Sequence, residues 1–368
     1  MRTAVVILNW NTKDFLERFL PGLEASMPPG AEVVVADNGS TDGSLGLLDE
    51  KFPEIKQIRL DKNYGFTGGY NQAFKALTQM PEASDLEYFL LINSDIEVPA
   101  GWLEPLVSWM DSHPECAACA PKLHSFQDRD SFEYAGAAGG LLDRFGYPFC
   151  RGRVLKRLEK DEGQYDSPAR VFWATGACLM VRASDYERMG GLDERFFAHM
   201  EEIDLCWRLQ LEGKSIWVVP ESVVYHVGGG PLPNDSPRKL KLNYRNNLLM
   251  LSDNLAKTYA LGLSERLPMP EAARKAYGKA SRTIFLRKCL DGCSAIVYLL
   301  TGKIPLLKAV IQAHKECRKL SSKPDVPDIQ AFLESHEGVA APFLFPRWIV
   351  LLAMTKGSGI FEYLRKRT

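Results

Sequence analysis

The chain has 368 residues, 46% of them hydrophobic and 25% charged, an ordinary globular balance that excludes none of the common domain classes and fits one large domain or two. Its net charge of −1 hides an asymmetry: residues 238–319 carry 17 Lys and Arg against 5 Asp and Glu, leaving 28 against 41 elsewhere. A basic carboxy-terminal third points to an anionic partner surface.

The chain enters a strand almost at once, "TAVVIL", with no basic and apolar leader before it, so no secretory signal is expected. Among the eight scattered cysteines Cys116 and Cys119 form a lone C-x-x-C. No second pair accompanies them, so they read as reduced structural residues in a reducing cytosol. Over the first 120 residues short apolar runs alternate with helical patterns. "AVVIL" precedes Phe15, Leu16, Phe19, Leu20 and Leu23, and "EVVVA" precedes Leu45, Leu47, Leu48 and Phe52. "IKQIRL" leads through a Gly-rich loop to "NQAFKAL", and "YFLLI" precedes a helix over Trp102 to Met110. Such alternation predicts βαβ units, an α/β fold and a mostly parallel sheet flanked by helices.

In such sheets ligands collect at the carboxyl ends of the strands. Those ends read Asn9-Trp10-Asn11, then "DNGSTDG" from Asp37, then "DKNYGFTGGYN" from Asp61, then Asn93-Ser94-Asp95. Any one is an adequate turn. Four polar, Gly- or Asn-rich ends at one edge make a ligand cleft. Neither G-x-G-x-x-G nor G-x-x-x-x-G-K-[ST] occurs, which disfavours dinucleotide and P-loop sites.

His124 to Val171 mixes "YAGAAGG" with charged residues and predicts a flap or hairpin over the acceptor side. "TGACLMV" returns to a buried strand, where Gly176 gives an acceptor room to approach. In "FFAHMEEIDLCW" the acids Glu201, Glu202 and Asp204 interrupt an apolar run. They open a helix, where the dipole favours carboxylates, and Asp204 can pair with Arg208 four residues on. Glu202 has no such partner. His226 ends another strand, "SVVYH", before Gly228-Gly229-Gly230, whose amides suit a phosphate.

The order Asn9-Trp10-Asn11, "VVADNGSTDGS", "NYGFTGGYNQA", "LLINSD", "ATGACLMVR", "GGLDERFFAHMEEIDLCWRL" and "VYHVGGG" resembles the family 2 glycosyltransferases, most of all their rhamnosyltransferase-like branch. The resemblance spans roughly Thr3 to Asn247. It implies a GT-A type, Rossmann-like fold, a UDP- or dTDP-sugar donor, Mg²⁺ or Mn²⁺, and inversion at the anomeric carbon. It gives Asp37 a contact to the N3–H of uracil or thymine, and places Asn9, Asn11, Asn63, Gly69, Asn71 and Asn93 around the donor. Where the family has Asp-x-Asp, this chain has Asn93-Ser94-Asp95, leaving Asp95 as the one anionic metal ligand there, with His226 as the second ligand. The second acid of the family's Glu-Asp pair is the general base. Here that position is Glu202, with Glu201 and Asp204 as alternatives.

From Pro231 the chain turns helical, so the expected division is a catalytic domain over 1–230 and a basic helical region over 231–368. "LKLNYRNNLLMLSDNL" and "RTIFLRKCLDGCSAIVYLL" set aliphatic and basic residues on alternating faces, but no run approaches the roughly 20 apolar residues of a bilayer span. These helices either lie on a membrane surface or pack on the catalytic domain. No nucleic-acid motif accompanies the charge. The expected enzyme is cytoplasmic, peripheral at the inner membrane face if its helices meet lipid, and acts on a saccharide or lipid-linked acceptor. A non-catalytic nucleotide-sugar binding protein and a nucleotidyltransferase are the alternatives. The sequence assigns no oligomeric state.

Overall fold

The computed structural model describes residues 1–228 and 236–367. Strands β1 (Thr3–Asn9), β2 (Ala31–Asp37), β3 (Lys56–Arg59) and β4 (Tyr88–Ile92) lie parallel in the order β4-β1-β2-β3. Strands β1, β2 and β4 carry apolar runs because both of their faces are covered, whereas β3, at the sheet edge, is largely polar. Val5 and Val35 pack with α1 (Lys13–Ala25) and α2 (Ser44–Lys51) on one face. Val6 and Val34 pack with α3 (Gly65–Leu77) on the other. The "Gly-rich loop" after β3 is therefore mostly the first turns of a helix.

The chain continues through β5 (Ile96–Glu97), α4 (Leu103–Ser112) and β6 (Cys116–Ser125) into the segment expected to form a flap. That segment folds into a four-stranded antiparallel sheet of β7 (Gly140–Leu142), β8 (Pro148–Cys150), β9 (Arg153–Val154) and β10 (Arg157–Leu158). It is packed rather than free-standing: Phe132, Phe149 and Val154 are fully buried. The Lys122 ammonium, on β6, lies 2.6 Å from both Asp161 and Asp166 and pins the segment to the main sheet.

Strands β11 (Ala169–Val171) and β12 (Cys178–Arg182), helices α5 (Ala183–Arg188) and α6 (Glu201–Leu211), and strand β13 (Ser215–His226) complete the main sheet and its covering layer. Its full order is β11-β13-β6-β12-β4-β1-β2-β3, with β5 on β13. Beyond β4 it is mixed: β12 runs antiparallel to β4 and β6, while β13 is parallel to β6.

Six α-helices follow among the described residues: α7 (Pro237–Ser264), α8 (Met269–Leu300), α9 (Ile304–Leu320), α10 (Val326–Ser335), α11 (Ile349–Lys356) and α12 (Ile360–Arg365). The expected domain boundary at 230 falls outside the described residues. The core around Trp207 continues without a break through Leu248, Leu255 and Ala272. Helix α7, one of the two stretches read as either membrane-facing or packed on the catalytic domain, is a core helix. Leu248 to Leu251 are buried, and the Trp207 indole N–H donates to Thr258 Oγ1 at 2.7 Å. No helix among the described residues is long and apolar enough to cross a membrane.

Candidate active site

Asn9, Asp37 and Asn93 stand at or just past the carboxyl ends of β1, β2 and β4, at one edge of the sheet. Asp37 is 1% exposed, and its carboxylate accepts from Asn9 Nδ2 at 2.7 Å and from the Ser40 amide at 3.0 Å. Asn11, at φ 56°, accepts from the Thr41 amide at 2.7 Å and so folds the "DNGSTDG" turn back over Asp37. Gly39 is obligatory there: φ is +72°, and a Cβ would sit 2.7 Å from the Lys62 backbone. Asn38, which the sequence reading passed over, is the organiser of the next loop. Its side chain accepts from the Tyr64 amide at 2.9 Å and donates to Gly65 O at 2.9 Å and to Asn63 Oδ1 at 3.2 Å.

Two expected donor residues are placed otherwise. Gly69 lies inside α3 and lets the helix approach β1, since a Cβ there would meet Leu8 at 2.7 Å. Asn71 is also inside α3, and its amide is consumed by the 186–194 segment. It accepts from Tyr186 Oη and the Leu192 amide, and donates to Leu192 O and Glu194. A side chain with its hydrogen bonds so filled has no capacity left for a donor sugar.

His226 ends β13 and reaches across to the β4 end. Its Nε2 lies 3.2 Å from Asp95 Oδ1 and 3.4 Å from Asn93 Nδ2. Its Nδ1 lies 3.1 Å from Glu133 Oε2, off the hydrogen-bond line. Burial disfavours charge on the ring, but the two carboxylates outweigh it and push the pKa up to about 10. The two carboxylates therefore favour a proton on the ring, and a cation binding at Nε2 would displace it. Glu133 was missed because it sits in the unpatterned 124–171 segment. Among the described residues no three His, Cys, Asp or Glu side chains form a ready metal cage. Asp95 and His226 still fit a divalent cation as a pair: their 3.2 Å spacing is close to the roughly 3 Å between neighbouring ligands of an octahedral ion with bonds of about 2.1 Å. Carboxylate with imidazole is also a donor set that Mn²⁺ accepts. Gly229 and Gly230 lie outside the described residues.

The three acids of α6 have three different fates. Asp204 pairs with Arg208 at 2.7 Å and accepts from Asn254 at 2.8 Å, so both of its oxygens are occupied. Glu201 is sealed, at 4% exposure. Burial and the neighbouring Glu202 push its pKa well up. Glu202 keeps part of its surface open, and no hydrogen bond reaches its Oε2. Burial raises its pKa to about 7 against the pull of the amides of Glu202 and Ile203 in the helix's first turn. It also sits close to the β4 end. A Cβ at Gly176 would lie 3.5 Å from Glu202 Cβ, and the next carbonyl, Ala177 O, accepts from the Asn93 amide at 2.9 Å.

Just before α6, Phe197, His199 and Met200 all take positive φ, at 64°, 72° and 72°. Asn246 on α7 donates to Phe196 O, Ala198 O and His199 O at 2.7–3.0 Å. Arg245 donates to Arg195 O and Phe196 O at 3.0 and 2.7 Å. Phe197 O accepts from the Phe66 amide at the start of α3. One strained loop thus joins the acid-bearing helix to the loop after β3.

The sequence model described as "Glycosyl transferase family 2" matches residues 4–190, about half of the chain. The chain is 28% identical over 265 residues to the N-acetylglucosaminyl-diphospho-decaprenol L-rhamnosyltransferase of Mycobacterium tuberculosis, covering 68% of this chain and 83% of that protein. It is 25% identical over 222 residues to rhamnosyltransferase WbbL of Escherichia coli K12, covering 60% of this chain and 82% of that one. Among solved structures it resembles GalNAc-T7 crystallised with UDP, GalNAc and Mn²⁺, with a TM-score of 0.54 at 16% identity. That likeness covers 76% of this chain and about half, 54%, of the other, and it bears on the fold alone. The mixed sheet flanked by helices is of GT-A type, and the match over residues 4–190 places this chain in glycosyl transferase family 2, among its rhamnosyltransferase-like members.

Proposed function

We propose that this glycosyltransferase moves a sugar, with inversion, from a UDP- or dTDP-sugar to a saccharide or lipid-linked acceptor in surface polysaccharide synthesis. The relatives support the sugar and acceptor classes: two are named for rhamnosyl transfer, and one for an acceptor on a diphospho-decaprenol lipid. On this reading residues 1–230 carry the reaction and 231–368 brace it. Asp37, held by Asn9 and Ser40, presents its carboxylate to the base, and the Asn11 and Asn63 turns border the donor. Asp95 and His226 are the residues that would hold Mg²⁺ or Mn²⁺, with Asn93 beside them. The cation, when bound, offsets the charge that grows on the departing diphosphate.

Glu202 takes the proton of the acceptor hydroxyl as that oxygen bonds to the anomeric carbon and the carbon–phosphate-oxygen bond breaks on the opposite face. The observation that carries this assignment is Glu202 itself: the residue is partly exposed, and its Oε2, though enclosed, has no hydrogen-bond partner. Its two rivals are sealed or already paired. Glu202→Gln keeps the shape and cannot accept a proton. Turnover should fall by about 10² or more while UDP affinity, read by calorimetry, stays unchanged. Near-normal transfer by that variant would reassign the base.

A further inference from the structure

We propose that the distal half of α8 and its turn into α9 form a wedge that docks on an anionic lipid bilayer. Helix α8 has two faces. Ala280, Thr283, Ile284, Arg287 and Asp291 form a buried face against the protein. The opposite face, from Phe285 through Ile296 to Leu300, is apolar and uncovered. Phe285 is 65% exposed, Ile296 57%, Val297 56% and Leu300 80%, and Ile304 beyond the turn is 40% exposed. Large aliphatic side chains clustered at one end of a helical hairpin mark an interaction surface rather than ordinary scatter.

The charge around the wedge identifies the occupant. Arg282, Lys288, Lys303, Lys308, Lys315, Arg318 and Lys319 are all exposed. The acids of that stretch are turned to other uses. Asp291 is fully buried against Arg287, and Glu316 is bound to Lys241 and Arg245. The stretch 282–320 therefore exposes apolar side chains together with seven cations, while its two acids are engaged in ion pairs. A second copy would bring the same positive charge, and a nucleic acid would leave Leu300 in water. An anionic membrane satisfies both halves: the apolar face sinks to the acyl boundary and the lysines reach the headgroups. The helix lies at the interface, since it is not apolar enough to cross.

Docking of this kind is independent of the transfer chemistry, and its test does not use it. The full chain should co-sediment with vesicles of 70% phosphatidylcholine and 30% phosphatidylglycerol, and not with phosphatidylcholine alone. Binding should weaken at least tenfold between about 0.1 M and 0.5 M salt. Ile296→Glu with Leu300→Glu, and separately Lys303→Glu with Lys308→Glu, should each lose at least tenfold in vesicle affinity while melting temperature and UDP binding hold. These positions are exposed, so folding is not at stake. Cys293 lies on the same face, and Cys289 is the only other exposed cysteine. In a Cys289→Ser background, an environment-sensitive dye on Cys293 should shift to the blue on anionic vesicles. Unchanged sedimentation of both double variants, or an unshifted dye, would overturn the proposal. So would a dimer in sedimentation velocity that Ile296→Glu and Leu300→Glu dissolve, because a second copy would then cover this face.

Discussion

A carboxylate is useful as a base only if it is free of partners and of suitable basicity, and within α6 Glu202 alone combines partial exposure of the residue with an unpartnered oxygen. Its pKa of about 7, raised from an ordinary 4.5, makes two pH predictions with definite sign. If Glu202 is the base, as proposed, its carboxylate is the active form, and turnover at saturating substrate should rise about tenfold per pH unit below 7 and level off above. Because the folded state holds the proton more tightly than the unfolded chain, Glu202 lowers stability as pH climbs from about 4.5 through 7. Glu202→Gln should therefore be more resistant to urea than the parent at pH 8, with the advantage shrinking toward pH 5. Equal unfolding midpoints for parent and variant at pH 8 would contradict the burial argument.

At the other pole of the site, Asp95→Ala should abolish the Mn²⁺ dependence of UDP binding in calorimetry, because it removes the anionic ligand. His226→Ala should weaken that binding less. Glu133→Gln, acting through the ring of His226, should cost about 10- to 100-fold in metal affinity, the usual scale for a partner behind a ligand. Full Mn²⁺-dependent binding by Asp95→Ala would remove the metal assignment.

Between these residues, the loop ahead of α6 sets how the helix bearing Glu202 is presented. Three non-glycine residues at positive φ cost roughly 1–3 kcal/mol each and persist only where the surroundings impose them. Asn246 and Arg245 impose them here, by hydrogen bonds to four successive or near-successive carbonyls from Arg195 to His199. The cause lies on α7, so a helix far along the chain from the acids controls their geometry. Asn246→Ala should lower turnover by at least about tenfold, the sensitivity expected when a reacting group loses its orientation. UDP affinity should change by less than about threefold. If turnover and affinity fall together, the loop serves the donor side through Phe66 as much as it serves the base.

At the scale of the molecule, the carboxy-terminal helices are a structural part of the enzyme before they are anything else. Buried Arg287 on α8 donates to Asp291 at 2.9 Å, to Phe145 O at 2.9 Å and to Asn247 on α7, and stacks 4.1 Å above the Tyr147 ring. His314 on α9 meets the same Asp291 at 3.2 Å. Asp143, fully buried, accepts from the amides of Phe145, Tyr147 and Ile349, and so ties the small sheet to the first turn of α11. Arg287→Ala would strand the Asp291 charge in the interior and should cost about 3–5 kcal/mol in chemical denaturation. A loss under about 1 kcal/mol would mean that the helices are only loosely joined to the rest.

The strands, the polar strand ends and the three acids were legible in the sequence because each is a local pattern. A strand covered on both faces must be apolar throughout, and a turn at a ligand edge must be polar and small. The same local reading erred where contacts are long-range. "GFTGGYNQA" has the composition of a loop, yet it is the start of α3, because Gly69 is small to admit Leu8 and Asn71 is polar to hold Leu192, more than a hundred residues away. The amphipathic pattern of α7 is that of a surface helix, yet its polar groups are spent on Asp204, Trp207 and the loop before α6. Glu133 had no pattern at all and meets His226 only because β13 folds beside β6. Which of three neighbouring acids stayed free was likewise decided in three dimensions: Arg208 and Asn254 took Asp204, the core enclosed Glu201, and Gly176 left room beside Glu202.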